Sequence, residues 1–260
     1  MKSRSKLTTA LLLATALPAI AAAPDLDGLD PQAAGDALID HADEYHKGWI
    51  NAETRAELEL YDAQGTRSVR EIRTYEIEHD DGNNGGQFLV IYDSPGNGLL
   101  THMSRSTDDL QWLWVSGLRR LRRLESNGMN GSFVGSEYTY EDMRSQYPRK
   151  FQNTLVETVV IDGVRHWVID RVPNYSNSGY SRMRVYLEPE HFRVNKTEFF
   201  DPEGRPLKVA LAEDWRLEDG KHWRAHRTRM SNLKTGRYTV WLTRELKLGT
   251  GLSDLRRQMR

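Results

Sequence analysis

The sequence predicts a mainly β (α+β) protein built on a single large, curved antiparallel sheet that does not fully close. Two observations carry this. From Ala52 onward, apolar and polar residues alternate with a period of two through run after run. Short turns rich in Gly, Asp and Asn separate those runs, and only two segments read as helices.

Asp30-Pro31 opens the first helix, because Asp is a good cap and Pro is tolerated at the first helical position. Ala34, Leu38, Ala42, Tyr45 and Trp49 recur at spacings of three and four, with Ile39 beside them, so one face is apolar. Gly48 marks its end. Ala52, Thr54, Ala56, Leu58 and Leu60 then alternate with Glu53, Arg55, Glu57 and Glu59, a strand with one dry and one wet face. Beyond the turn at 62–65, candidate strands follow at 67–78, 87–93, 99–105, 111–115, 119–124, 153–161 and 164–172. Further candidates lie at 182–187, 193–200, 207–216, 223–232 and 238–248. Turns fall at 79–86, 94–98, 201–204, 218–220 and 234–236, and Asp162-Gly163 is the strongest hairpin signal in the chain. About ten or eleven strands joined this way imply one meander, curved or partly closed.

The second helix is expected near 140–146. Thr139 caps it, Asp142 lies three residues on, Tyr138 packs on Met143, and Pro148 limits its length. Hung between a glycine-rich loop and a proline, it reads either as a mobile lid over the sheet or as a static plug in the core.

Met1 to Lys6 carry three cationic side chains, an apolar run from Leu7 to Leu17 follows, and small residues close the segment at Ala21, Ala22 and Ala23. That is the pattern of a secretory signal peptide over residues 1–23, too short to span a bilayer as a helix of roughly 20 apolar residues does. Residues 24–260 form one domain, expected in a periplasm. The chain has no cysteine, so an exported protein of this kind rests on its core rather than on disulfides. With 36 basic and 37 acidic residues the net charge is −1, which argues against a nucleic-acid partner.

Residues 110–143 say most about function: a tryptophan-rich strand, four arginines, a loop rich in Gly, Ser and Asn, then the capped second helix. Apolar bulk, cationic groups and a hinge side by side suit a surface that receives an amphiphile. Arg119, Arg120, Arg122 and Arg123 admit three readings: a polyanion patch, a solvated strand paired with glutamates, or a rim that holds an anionic head group. Asp108, Asp109, Glu137, Glu141 and Asp142 raise the question of a two-carboxylate hydrolase, and turn and cap duty explains them more simply. Trp112, Trp114, Trp167, Trp215, Trp223 and Trp241 suit either cross-strand packing or the wall of an apolar cavity. The sequence holds no nucleophile elbow, zinc helix or phosphate-binding loop, so no catalytic residue is expected. His222 and His226, four apart on a strand, stand roughly 13 Å apart at ~3.3 Å per residue, too far to share a metal ion. No metal or other cofactor is expected.

The chain resembles the exported outer-membrane lipoprotein-sorting proteins, relatives of the periplasmic lipoprotein carrier LolA. The resemblance rests on Gln111-Trp112-Leu113, the arginine strand at 118–124, the 131–136 loop with Phe133 and Glu137, and Tyr140-Glu141-Asp142. Arg171-Val172-Pro173, 178–182, Glu198-Phe199, Asp201, Gly204, 223–227 and 251–254 extend it over nearly the whole mature chain. It implies an incomplete half-barrel under a helical lid, holding acyl chains against its concave face, and an inner-membrane exporter of the resistance-nodulation-division (RND) type as partner. The loop at 125–137 is longer than in the carrier itself, which leaves the cargo open between lipoprotein and other lipids. On this reading Leu58, Leu60, Leu89, Ile91, Leu113 and Val115 line the cavity from the sheet. Phe133, Tyr138, Tyr140 and Met143 line it from the lid, with Gly128, Gly131 and Gly135 as hinge. The expected function is transport of lipid or acylated cargo between inner and outer membranes, with transient membrane contact and no catalysis. A cofactor-independent envelope enzyme and a non-catalytic envelope adaptor are the alternatives.

Overall fold

The computed structural model describes residues 22–79, 84–92, 96–106, 108–125 and 128–259. Residues 1–21, most of the segment expected as a signal peptide over 1–23, and the centres of the turns at 80–83 and 93–95 lie outside the described residues.

Every candidate strand forms, so the sheet has thirteen strands rather than ten or eleven. They are β1 (Asn51–Tyr61), β2 (Arg67–Ile77), β3 (Asn84–Tyr92), β4 (Asn97–Ser104), β5 (Leu110–Val115), β6 (Arg120–Arg123) and β7 (Phe151–Ile161), then β8 (Val164–Pro173), β9 (Arg182–Leu187), β10 (Val194–Phe200), β11 (Pro206–Glu218), β12 (His222–Asn232) and β13 (Tyr238–Leu248). Their order in space is β6-β5-β4-β3-β2-β1-β13-β12-β11-β10-β9-β8-β7. The meander is thus two arms joined at β1–β13, and the sheet stays open, with β6 and β7 as its edges. Register shifts at Arg55/Ala56, Leu155/Glu157 and Phe199/Phe200 are β-bulges, which bend and twist a sheet locally. The turn at Asp162-Gly163 has φ of 50° and 80°, the left-handed pair that a tight hairpin requires.

Helix α1 (Pro31–Tyr45) begins as expected: the Asp30 carboxylate accepts from the Ala33 N–H at 2.8 Å, with Pro31 in the first turn. Its apolar stripe of Leu38, Ile39 and Ala42 packs on Trp167, Ile169, Val185, Leu187 and Phe192, covering β8 and β9 and the turn beyond β9. Gly35 faces β7 so closely that a Cβ there would stand 2.7 Å from the Asn153 carbonyl oxygen and 2.8 Å from the Leu155 nitrogen. Backbone cannot swing away as a side-chain tip can.

On propensity alone, Gly35→Ala gains about 1 kcal/mol in a helix. The clash reverses that sign, and we expect a loss of about 1–3 kcal/mol, the usual cost of overpacking. Urea denaturation reads the difference, and a variant more stable than the parent contradicts this packing.

Candidate functional site

Because β6 and β7 are consecutive in sequence yet sit at opposite edges, the chain between them has to pass from one edge of the open sheet to the other. Residues 128–150 do so over the lid face, the face to which Ala56, Leu58 and Leu60 of β1 point. The segment lays Phe133, Tyr138 and Met143 into one cluster with Ala56, Leu58, Ile72, Val90, Leu99, Phe151, Tyr180, Met183, Phe199 and Met230. Phe133 and Leu58 are wholly buried. Val134 and Tyr140 from the lid, and Leu60, Tyr92, Leu113 and Trp241 from the sheet, pack around them. Phe133 meets Tyr92 and Tyr140 edge-on, with centroids 5.5 and 6.0 Å apart.

The lid helix expected at 140–146 is a single 3-10 turn, Glu141–Met143. The cap forms as expected, with the Thr139 N–H donating to Asp142 at 2.7 Å and the Asp142 N–H to the Thr139 hydroxyl at 3.3 Å. What stops a longer helix is that the flanking side chains are engaged elsewhere. Ser145 donates to the buried Asp109 through its backbone N–H at 2.7 Å, and Glu141 is held by another loop.

These lid carboxylates form a polar latch. Glu141 is 2% exposed and accepts from the Tyr175 hydroxyl at 2.9 Å, the Ser178 hydroxyl at 2.6 Å and the Gly179 N–H at 2.7 Å. Asp142 accepts from the Lys208 ammonium at 2.5 Å and the Tyr180 hydroxyl at 2.8 Å. Lys208 reaches the lid from β11 and lies 4.9 Å from the centre of the Phe199 ring and 5.0 Å from that of Tyr180. Burial pushes the phenols of Tyr175 and Tyr180 up, and the neighbouring carboxylates Glu141 and Asp142 push the same way, so both stay donors. At the lid tip, Glu137 pairs with Arg237 at 3.0 Å and accepts from Asn232 at 2.8 Å. Behind the lid, Asp109 holds Lys150, Ser145 and the Ser104 N–H. Burial pulls the Lys150 ammonium down while Asp109 pulls it up.

Of the residues expected to line one cavity, Leu58, Leu60, Leu113, Phe133, Tyr138, Tyr140 and Met143 do meet. Val115 lies two residues past Leu113 on the same face of β5. Leu89 and Ile91 do not join them: they point to the opposite face and pack with Ile77, Leu100, Trp112, Trp114 and Leu255. The run Phe88-Leu89-Val90-Ile91-Tyr92 is apolar on both faces, so alternation gives no side assignment there. The arginines divide as well. Arg120 and Arg122 share the face of Val115 and Leu113, Arg123 shares that of Trp112, and all are exposed on edge strand β6. Among the described residues none of the four makes an ion pair with a glutamate. Of the glycines expected to act as a hinge, Gly135 has φ +80° and follows Val134 at +48°, a tight turn beside Leu60. A Cβ on Gly131 would stand 3.1 Å from the Gly128 carbonyl oxygen. Composition did not reveal the latch, although the acidic pair inside an otherwise aromatic segment was its one visible signal.

A crystal structure of an outer membrane lipoprotein-sorting protein domain from Vibrio parahaemolyticus matches with a TM-score of 0.81 and 30% identity, over 86% of this chain and 97% of that one. The chain belongs to the outer membrane lipoprotein-sorting protein family. A DUF1329 family protein from Desulfovibrio piger is similar at TM-score 0.80 and 22% identity, over 87% and 96% of the two chains. A LolA superfamily protein from Nitrosomonas europaea shares the fold at TM-score 0.66 and 17% identity, over 86% and 96%. A family model described as an uncharacterized protein matches residues 85–256. No curated protein matches the chain. The open LolA-like sheet implied by the resemblance is thus the fold of the family.

Lys208→Met tests the latch. It leaves Asp142 buried without its cation, and we expect a loss of about 3–5 kcal/mol, the usual cost of breaking a buried pair. Adding Asp142→Asn should recover part of it. Chemical denaturation of both variants measures this, and a single variant as stable as the parent contradicts the latch.

Proposed function

We propose that the protein is a periplasmic carrier of lipid or acylated cargo, which takes the place of the lid's apolar side chains on the open face of the sheet. One observation carries the reading: the apolar trough of the sheet is completed by side chains of a loop, not by a helix or strand of the sheet itself. Phe133, Tyr138 and Met143 do what an acyl chain would do.

The energies are comparable. Fully burying one such side chain is worth about 1.5–3 kcal/mol, so three supply on the order of 5–9 kcal/mol. A chain of about sixteen carbons at about 0.8 kcal/mol per methylene brings roughly 12 kcal/mol. Cargo can therefore displace the lid with something left over to break hydrogen bonds of the latch. The hinge belongs to 128–135, where Gly135 already occupies a conformation that few other residues adopt.

Export through a cleaved signal peptide over residues 1–23, loading at an inner-membrane RND-type exporter and delivery toward the outer membrane complete the reading. The name of the Vibrio relative supports lipoprotein sorting as the family's work. Among the described residues no helix is long and apolar enough to cross a membrane, which agrees with only transient membrane contact. The lid carboxylates are engaged within the latch, Glu141 by Tyr175, Ser178 and Gly179 and Asp142 by Lys208 and Tyr180, with no histidine among those partners to act as a base, which favours carriage over the envelope-enzyme alternative.

Solvent extraction and mass spectrometry of protein purified from its native envelope should find lipid in near-stoichiometric amount. Its amount should fall in a variant whose trough is narrowed by Ala56→Phe. Lipid-free protein from a lipid-replete envelope contradicts the carrier.

A further inference from the structure

The face of the sheet away from the lid carries a cleft of about 1230 Å³. Its floor includes Tyr75, Ile91 and Trp114, and its walls come from the turn at 116–119, β13 and the C-terminal segment. Register puts it there. On β2 and β3 the pairs Tyr75/Leu89 and Arg73/Ile91 alternate with Thr74/Val90 and Ile72/Tyr92, and Ile72 and Val90 belong to the lid-side cluster. The C-terminal wall is anchored by Leu252 and Leu255, which pack with Ile77, Leu89 and Leu100, and by the Thr250 N–H, which donates to Asn51 at 2.6 Å.

The charges of this cleft are not mutually satisfied. Five arginines and three glutamates line it. Arg55 stands directly opposite Arg73 across β1 and β2, and Glu57 directly opposite Glu71, an arrangement of like charges that costs stability. Ion pairs offset part of this, Arg55 with Glu245 at 3.5 Å and Arg244 with Glu57 at 2.7 Å. Arg73, Arg119 and Arg257 make no ion pair among the described residues. Arg119, at φ 47°, follows the turn Ser116–Leu118 and lines this cleft, whereas the arginines after it belong to β6.

A cationic wall beside an aromatic floor is the chemistry of an anionic head joined to an apolar chain. We infer that the outer cleft binds an anionic amphiphile, its phosphate or carboxylate head among Arg73, Arg119 and Arg257 and its chain along Tyr75, Ile91 and Trp114. Guanidinium forks match such heads bidentately. The site lies on the other face from the lid and does not depend on the carrier reading. A free amphiphile and the surface of an anionic bilayer both present this chemistry.

The test uses the purified protein and monomeric dodecyl phosphate carrying a diazirine, with calorimetric titration of the unmodified compound. Light-driven labelling should fall on peptides containing Tyr75, Trp114 or Arg257. The double variant Arg73→Gln/Arg119→Gln should bind at least tenfold more weakly while melting no lower than the parent, and uncharged dodecyl maltoside should not displace the ligand. If that variant melts early, Arg257→Gln with Trp114→Leu gives the same comparison. Labelling confined to residues 129–143 and the lid-facing strands, or equal affinity in the parent and the variants, overturns the site. Sedimentation with phosphatidylglycerol vesicles that the double variant loses assigns the head group to a bilayer. Saturable binding of the monomer without sedimentation assigns it to a free amphiphile, and binding in neither form overturns the proposal.

Discussion

The structure turns on one topological constraint: the two edges of an open thirteen-stranded sheet are consecutive in the chain. Whatever links β6 to β7 has to cover the apolar face that the curvature creates. The irregular crossing does this with backbone polar groups that find partners on β5 and β13 as it passes. Gln111 donates to the Tyr140 carbonyl at 2.9 Å, and the Glu137 N–H donates to the Thr239 hydroxyl at 3.0 Å. Lid and core are therefore one object, and the lid-side cluster cannot be intact while the lid is elsewhere.

The same crossing explains why so many carboxylates are buried here. Glu141, Asp142 and Asp109 each accept several hydrogen bonds, and two of them also face a lysine. A buried ion pair contributes little net stability over an apolar substitute but enforces one arrangement, because any partial opening strands a charge. A purely apolar lid would slide among many packings. The latch sets it in one.

Much of this was legible in the sequence. Alternation and turn chemistry located all thirteen strands, and Asp30-Pro31 located the start of α1. The Thr139–Asp142 cap was legible too, because capping is local. Three things were not. The run at 88–92 carries apolar groups on both faces, so Leu89 and Ile91 could be sided only once their partners on β2 and β4 were known. The length of the lid helix depended on Glu141 and Ser145 being claimed by residues distant in sequence. The partner of Asp142 is Lys208, 66 positions away, and no local rule pairs them. Local chemistry was visible; long-range polar pairing was not.

If the protein carries cargo as proposed, the lid must leave the sheet for cargo to enter. The chain has no cysteine, so a cross-link can be introduced without background. The Glu137 nitrogen lies 3.0 Å from the Thr239 side-chain oxygen, so lid and β13 touch there, and Glu137→Cys/Thr239→Cys, with closure of the disulfide checked by thiol titration, tests whether the lid moves. Uptake of an uncharged dansyl-labelled monoacylglycerol should be at least tenfold slower in the oxidised protein and should recover on reduction. Equal uptake with the disulfide closed and open would contradict the account.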